Sequence, residues 1–380
     1  MSARLITALL ACLVASCGDS SVSSTGKDST DWPEIDARLE AAVTPAEPGG
    51  GCDTAEVCGI EFRFGDVPNR WYDRAFGDWE RDQRVRIASA GKWLVAATLM
   101  TLVDDGVLAL DEPIGTYWPG LDAAHAAITT RQILSHTSGI FHQYACTNDQ
   151  VVHTLQQCAQ EILLMPLVAE PGTLFMYGSS SFQVAGAIAE RLAGQPWREL
   201  FQQRLGEPLG LTQTAFGSTQ GTYDDTTQNP QLAGGGISTA SEYDAFLEMM
   251  MQRGVYQGRR VLSEQAWEEM RRDSARGAYR FECPMAEEDC RAIGWGTVGF
   301  VLGSPSSKAI PYGLGNFLLR SDAQERGVLM TCPGAYGVRG WVDMERRYRA
   351  LMFMDGESAA SGAIFRDVLP MLEARIPAQP

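Results

Sequence analysis

Lysine is nearly missing from this chain. Of 31 basic residues only Lys27, Lys92 and Lys308 are lysines, and the rest are arginine. Arginine keeps its proton in proteins, so any base chemistry by an amine side chain is confined to three positions. Histidine is scarce as well: His125, His136, His142 and His153 make up the whole complement, none at ligand spacing with a cysteine. No C-x-x-C pair occurs, so neither a bound metal nor a metal cofactor is expected. The net charge of −16 and the lack of a basic patch exclude nucleic acid as a natural partner. Beyond the first residues, no apolar run is long enough to cross a bilayer. What remains is ordinary globular composition, 45% hydrophobic and 21% charged over 380 residues. That suits one large domain or two closely joined ones.

The N-terminus is not read as fold. Arg4 precedes the apolar run Leu5 to Val14, which is too short to span a membrane and has the form of a secretory signal. The run ends Leu13-Val14-Ala15-Ser16-Cys17, which resembles the lipobox of bacterial lipoproteins. Residues 1–16 are therefore expected to be a signal peptide and Cys17 the lipidated residue, with 17–31 a Ser-rich tether. The expected location is the bacterial cell envelope, periplasmic or on the cell surface, with the lipid on Cys17 as membrane anchor. An ordinary signal peptide, an incidental Cys17 and secretion form the alternative. Cys12 falls in the signal. Cys52/Cys58, Cys146/Cys158 and Cys283/Cys290 are sequence-near couples in a disulfide-permissive compartment. Six cysteines allow many connectivities, so near-neighbour pairing is one arrangement among several. Cys332 is left over.

Ser89-Ala90-Gly91-Lys92 is where the scarce lysine becomes informative. It heads Trp93 to Val103, a run apolar almost all round, as in a buried helix. Residues three apart share a helix face, which sets the hydroxyl beside the amine. A desolvated lysine can act as a base, whereas a snorkelling lysine at a helix end is the structural alternative. Ser24-Thr25-Gly26-Lys27 has the same spacing, but inside the polar tether. Two fixed positions alone are a weak motif.

Periodicity organises the rest. Trp32-Pro33 opens a helix from Glu34 to Val43, with Asp31 a candidate cap, and Pro45 to Gly51 breaks it. Ile60 to Phe64, Trp71 to Phe76 and Val85 to Ile87 alternate like strands. Gly106 ends the Lys92 helix. Thr129 to Gly139 reads as a capped short helix and turn, in which His136 is a hydrogen-bonded structural histidine rather than a base. Pro171 to Ser179 is a turn and short segment. Phe182 to Leu192 is helical and stops at Gly194, Pro208 to Leu211 is a turn, and Glu242 to Met251 is a helix after Gly234-Gly235-Gly236. From about Val261 strand signals return: Trp295 to Leu302, Phe317 to Arg320, Gly327 to Met330, Gly340 to Asp343 and Tyr348 to Phe353. Ile364 to Ala374 closes the chain as a helix. Strands at both ends of a helical middle imply an α/β domain, 32–377, with 32–106 and 261–377 as its α/β part and 107–260 as a helical insertion.

Read together, these segments resemble the serine β-lactamase and penicillin-binding-protein superfamily, in the branch of class C enzymes, related esterases and D-amino-acid peptidases. Ile87 to Lys92 matches its first motif, and Leu134-Ser135-His136-Thr137-Ser138-Gly139 a stretch common in this branch. Pro171-Gly172 through Phe175-x-Tyr177-x-Ser179 matches the second motif. Gly234-Gly235-Gly236 with Ser238-Thr239 matches a further landmark. The resemblance runs from about Trp32 to Arg375. It implies an α/β (α+β) fold of the β-lactamase/transpeptidase type, an antiparallel sheet flanked by helices with an inserted, mostly helical subdomain. The third motif departs. The family places Lys-Thr-Gly or His-x-Gly beside the nucleophile, whereas alignment of the residues that follow puts Cys332-Pro333-Gly334 there.

The resemblance also implies a mechanism. Ser89 is the expected nucleophile, Lys92 and Tyr177 share the proton transfer, and Ser179 orients Lys92 or substrate. The N–H groups of Ser89 and Ala335 would bind the oxyanion. Ser179, Cys332 and Gly334 would line the substrate site. Which of Lys92 and Tyr177 holds the proton stays open at this level. Without Lys or His at the third motif, Arg339 is the nearest cation in sequence. The substrate class is a small ester, amide or peptide, with no cofactor, and β-lactams are left open. The alternative is an envelope protein that binds peptidoglycan-like or acyl ligands after losing turnover.

Overall fold

The computed structural model describes residues 31–44, 57–67, 69–148, 153–218, 226–280 and 311–379. The expected signal and tether, Cys17, Lys27, the Pro45 to Gly51 break, Cys52, Cys283, Cys290, Lys308 and the Trp295 to Leu302 strand lie outside them. Every described residue but Asp31 falls in one unit, Trp32–Pro380.

A six-stranded antiparallel sheet forms the frame: β1 (Gly59–Gly65), β2 (Tyr72–Gly77), β3 (Phe317–Ser321), β4 (Gly327–Pro333), β5 (Arg339–Asp343) and β6 (Tyr348–Met354). Their order is β3-β4-β5-β6-β1-β2, so the N-terminal hairpin completes a sheet begun by the C-terminal strands. The alternation expected for Ile60 to Phe64 is present, with an unusual content. Phe62 and Phe64 point into one core, while Glu61 and Arg63 pair with each other on the opposite face, both buried. Asp73 and Asp82 complete that ion cluster, because a guanidinium buried there needs partners.

Helices α1 (Pro33–Glu40) and α6 (Ser358–Arg375) cover the first face, where Ile35, Leu39, Phe365 and Val368 meet Phe62 and Trp341. The N-cap of α1 is Trp32, whose side chain makes no cap bond, rather than Asp31. Against the other face lies α2 (Gly91–Asp104), buried from Gly91 to Leu102. That burial on all sides accounts for a sequence with no polar stripe. Gly106 stops it at φ +70°, as expected. The middle of the chain supplies α3 (Leu155–Leu164), α4 (Ser180–Ala193) and α5 (Ala240–Met251). Thr129 caps Thr130–Leu134 through a reciprocal box with Gln132, and Gly194 ends α4 in the left-handed region.

Two further expectations change. Pro208 sits not in an open turn but in a helical end, Glu207–Leu209, directly after a π turn over Gln202–Gly206. Such a wider turn accommodates the donor that proline lacks. Strand structure also does not resume at Val261: Ser263 caps a helix, Glu264–Met270, before the sheet strands return. Cys146 and Cys158 form a disulfide with Cα atoms 5.3 Å apart, and Cys58 is disulfide-bonded as well. Cys332 is a buried free thiol.

Candidate active site

Three chain segments converge on Ser89. The first is its own turn, a 3₁₀ segment Ala88–Ala90 that runs straight into α2. Ala88 takes φ +45°, a left-handed conformation uncommon for a residue with a Cβ. Neighbours hold it there. Ile87 N–H donates to the Gly236 carbonyl at 2.8 Å, and Tyr243 O–H to the Ala90 carbonyl at 3.0 Å. The second segment is Gly236–Ser238, and the third is the end of β4. Two glycines permit the close approach on either side of Ile87. A Cβ on Gly236 would stand 2.9 Å from the Ile87 side chain, and one on Gly334 would stand 2.2 Å from its carbonyl oxygen.

Lys92, the second residue of α2 and one turn on from Ser89, is 1% exposed. Its Nζ donates to Ser89 Oγ at 3.0 Å and to the Ala233 carbonyl at 2.8 Å, and it lies 4.5 Å from the centre of the Tyr177 ring. Burial pulls its pKa down from 10.5 to about 7, since so few groups nearby replace the water an ammonium would have. Neutral thiol is all that faces it from the third motif.

Tyr177 follows the short strand Leu174–Phe175, whose next N–H, that of Met176, donates to the His136 carbonyl at 2.8 Å. The phenol is buried and its hydroxyl makes no well-formed hydrogen bond, although Ser89 lies near enough to offset part of a large upward pKa shift. Desolvation is the main cause of that shift, so the group stays a phenol. Burial thus favours the neutral form of both groups, the amine of Lys92 and the phenol of Tyr177.

His136 departs from expectation. It is buried at φ +60°, with neither ring nitrogen hydrogen-bonded. Its ring packs among Tyr177, Phe182, Tyr312 and Phe175, with centroids 4.5–6.0 Å away. Burial, and then the Lys92 charge, hold its pKa well below the usual value, so it is a neutral aromatic wall behind Tyr177. His125, by contrast, has both ring nitrogens bonded, to Asp122 and to the Met165 carbonyl.

The remaining candidates fall around this centre. Ser179 stands at the N-cap position of α4 without a side-chain cap bond. Its Oγ donates to Gln143 at 3.2 Å and accepts from Gln231 at 3.3 Å, and Lys92 takes its second acceptor from the Ala233 backbone instead. Cys332 is wholly buried beneath the nucleophile, its thiol donating to the Ser89 carbonyl at 3.0 Å. Burial pushes that thiol up to about 12, despite nearby Lys92. Ala335 is exposed just past β4, and its carbonyl accepts the Ser358 N–H at 3.0 Å, which anchors the peptide that follows the candidate oxyanion N–H. Arg339, the candidate replacement cation, pairs in register with Pro333, not Cys332. It therefore projects to the opposite sheet face, stacked 5.0 Å from the Phe365 ring and away from Ser89. Sequence reasoning missed the Ala233 carbonyl, Gln143 and Gln231. A backbone acceptor has no side-chain signature, and the two amides are unremarkable outside the fold.

Comparison with known proteins fits this geometry. A crystal structure of a candidate β-lactamase from Bacteroides dorei superposes with a TM-score of 0.69 at 27% identity, covering 83% of this chain and 94% of that one. Lovastatin esterase from Penicillium rubens is 28% identical over 221 residues, 48% of this chain and 52% of its own length. Protein Rv1367c of Mycobacterium tuberculosis is 30% identical over 243 residues, 51% of this chain and 60% of its own. The chain thus matches little more than half the length of these two curated relatives. The profile of the Beta-lactamase family covers residues 68–368, from the turn between β1 and β2 into α6, and so takes in Ser89, Lys92, Tyr177 and the end of β4 together. With that span and the matching fold, the chain belongs to the beta-lactamase family.

Proposed function

We propose that the protein is a serine hydrolase that cleaves an ester or amide through an acyl-enzyme on Ser89. Family membership, with esterases and an acyltransferase among its relatives, supports hydrolase-type chemistry in general. The finer reading rests on one observation: a buried Lys92, its pKa near 7, donates to Ser89 Oγ at 3.0 Å. Above neutrality the amine is free to take the serine proton as Oγ bonds to the substrate carbonyl carbon. The carbonyl π pair moves to oxygen, toward the Ser89 and Ala335 N–H groups. When the tetrahedral species collapses, the bond to the leaving group breaks and that group takes the proton from the Lys92 ammonium. The transfer is direct or runs through the Tyr177 phenol, which Lys92 then reprotonates, so that the amine is neutral again. Water, deprotonated by the same amine, then attacks the acyl carbon; the carbon–Oγ bond breaks, Oγ takes the proton back from Lys92 and the acid leaves.

A pH profile on a neutral p-nitrophenyl ester tests this reading. kcat/KM should rise with pH through a midpoint near 7, following loss of the Lys92 proton, and Ser89→Ala should lose the activity. A rate flat across the neutral range, or retained in Ser89→Ala, would count against it.

Cys332 bears on substrate choice. By family resemblance, a Lys or His here adds positive potential that holds a substrate carboxylate; the buried thiol adds none, and Arg339 points elsewhere. Neutral esters or amides are therefore the proposed substrates. Cys332→His should raise kcat/KM for carboxylate-bearing substrates relative to a neutral ester by about tenfold, from a partly screened charge at close range. An unchanged ratio, or efficient penicillin hydrolysis by the unmodified protein, would refute the charge argument.

A further inference from the structure

We propose that Gln183 and Asn229 are positioning residues that aim the Ala233 carbonyl at Lys92, an inference that rests on the reading of Lys92 as the base. Gln183 lies on α4 and is wholly buried. Its Nε2 donates to Asn229 Oδ1 at 3.0 Å and to the Pro230 carbonyl at 3.1 Å, while its Oε1 accepts the Leu232 N–H at 2.8 Å. One side-chain amide thus grips three positions of a single short segment. The residue after the last of them is Ala233, whose carbonyl receives the Lys92 Nζ.

The clamp is anchored at its far side too. Asn229, also wholly buried, donates from Nδ2 to the Cys146 carbonyl at 2.8 Å, and Cys146 is tied to α3 by its disulfide with Cys158. Between them, Gln231 reaches Ser179 Oγ at 3.3 Å. Buried amides cost free energy unless their hydrogen bonds are filled, and an apolar side chain would fill the same space more simply. Here the filled bonds converge on the backbone acceptor that touches the base. That acceptor favours the ammonium, against the desolvation that disfavours it. Hydrogen bonds weaken steeply with distance and angle, so the carbonyl's placement sets where Lys92 titrates.

The scarcity of lysine supplies the test. In the full chain labelled with ¹³C at lysine Cε there are three signals, from Lys27, Lys92 and Lys308. The Lys92 signal is the one missing in Lys92→Arg. Its midpoint is expected near 7 in the unmodified protein. Gln183→Met should lower it by about one pH unit, as the ammonium loses part of a charge-assisted hydrogen bond. Asn229→Ala should lower it by less. A role confined to stability would reduce Tm and leave the midpoint in place. That result, or an upward shift, in the folded variant overturns the proposal; should Gln183→Met not fold, Asn229→Ala decides alone. The readout needs no turnover. A protein that turns over no ester or amide but shows the shifted titration would sink the hydrolase reading and leave the placement of the Ala233 carbonyl against Lys92 standing.

Discussion

Replacing Lys92 with Met is expected to cut ester hydrolysis by orders of magnitude and, at pH 6, to make the fold more stable. The two effects share one cause. The Lys92 pKa falls from 10.5 to about 7 on burial. At about 1.4 kcal/mol per pH unit, that corresponds to a cost of about 5 kcal/mol for holding the ammonium in the core. Below pH 7 the lysine is protonated in the folded and unfolded states alike, and the full cost applies. Between 7 and 10.5 the folded protein sheds the proton that the unfolded chain keeps, so stability climbs with pH across that window. Met carries no charge, and its contribution should be flat there. The substitution also strips the donor from the Ala233 carbonyl, a loss of about 1–3 kcal/mol. The net gain at pH 6 is then roughly 2–4 kcal/mol, shrinking toward pH 10. Turnover should fall by about 10²–10⁴, the usual worth of a positioned base. Denaturant unfolding at both pH values, beside an ester assay, measures all of this. A Met variant less stable at both would mean the lysine is not held against its solvation.

Tyr177→Phe should also separate activity from stability. The ring contacts, 4.5 Å to His136 and 5.6 Å to Phe317 between centroids, are kept by phenylalanine. Only the hydroxyl goes, and it is buried without a well-formed hydrogen bond, so its removal should leave stability unchanged or slightly raised. If the phenol delivers the proton to the leaving group, kcat falls by about 10²–10⁴. The acid limb of the profile should stay near 7, because Lys92 sets it and the phenol does not titrate there. A variant within a few-fold of full activity would remove Tyr177 from the chemistry. A displaced limb would mean that the two groups share one proton.

The parts of this site that were legible are those written in side chains. A rare lysine three residues after a serine, at the head of a helix apolar on every side, could be read because burial and composition both leave marks in sequence. The sheet was legible from the alternation of Ile60 to Phe64 and the apolar C-terminal strands, though not the burial of the Glu61–Arg63 pair between them. What escaped was carried by the backbone or by distant packing. The left-handed Ala88 is imposed by Gly236 and Tyr243, far along the chain, and the Ala233 carbonyl looks like any other. His136 was expected to bond because most buried histidines do; four aromatic rings around it could not be inferred from their scattered positions. The direction of Arg339 depended on strand register, where one residue changes the face. The helical setting of Pro208 is not legible, because the π turn upstream has no sequence signal of its own.

Covalent capture addresses the nucleophile most directly. Unmodified protein and Ser89→Ala are treated with a fluorophosphonate and, separately, with a fluorescent penicillin, then digested and mapped by mass spectrometry. A single fluorophosphonate adduct on the peptide that contains Ser89, absent from Ser89→Ala and weakened in Lys92→Met, is the expected result. An adduct on another residue, or no adduct with any acylating probe, would contradict the assignment of Ser89.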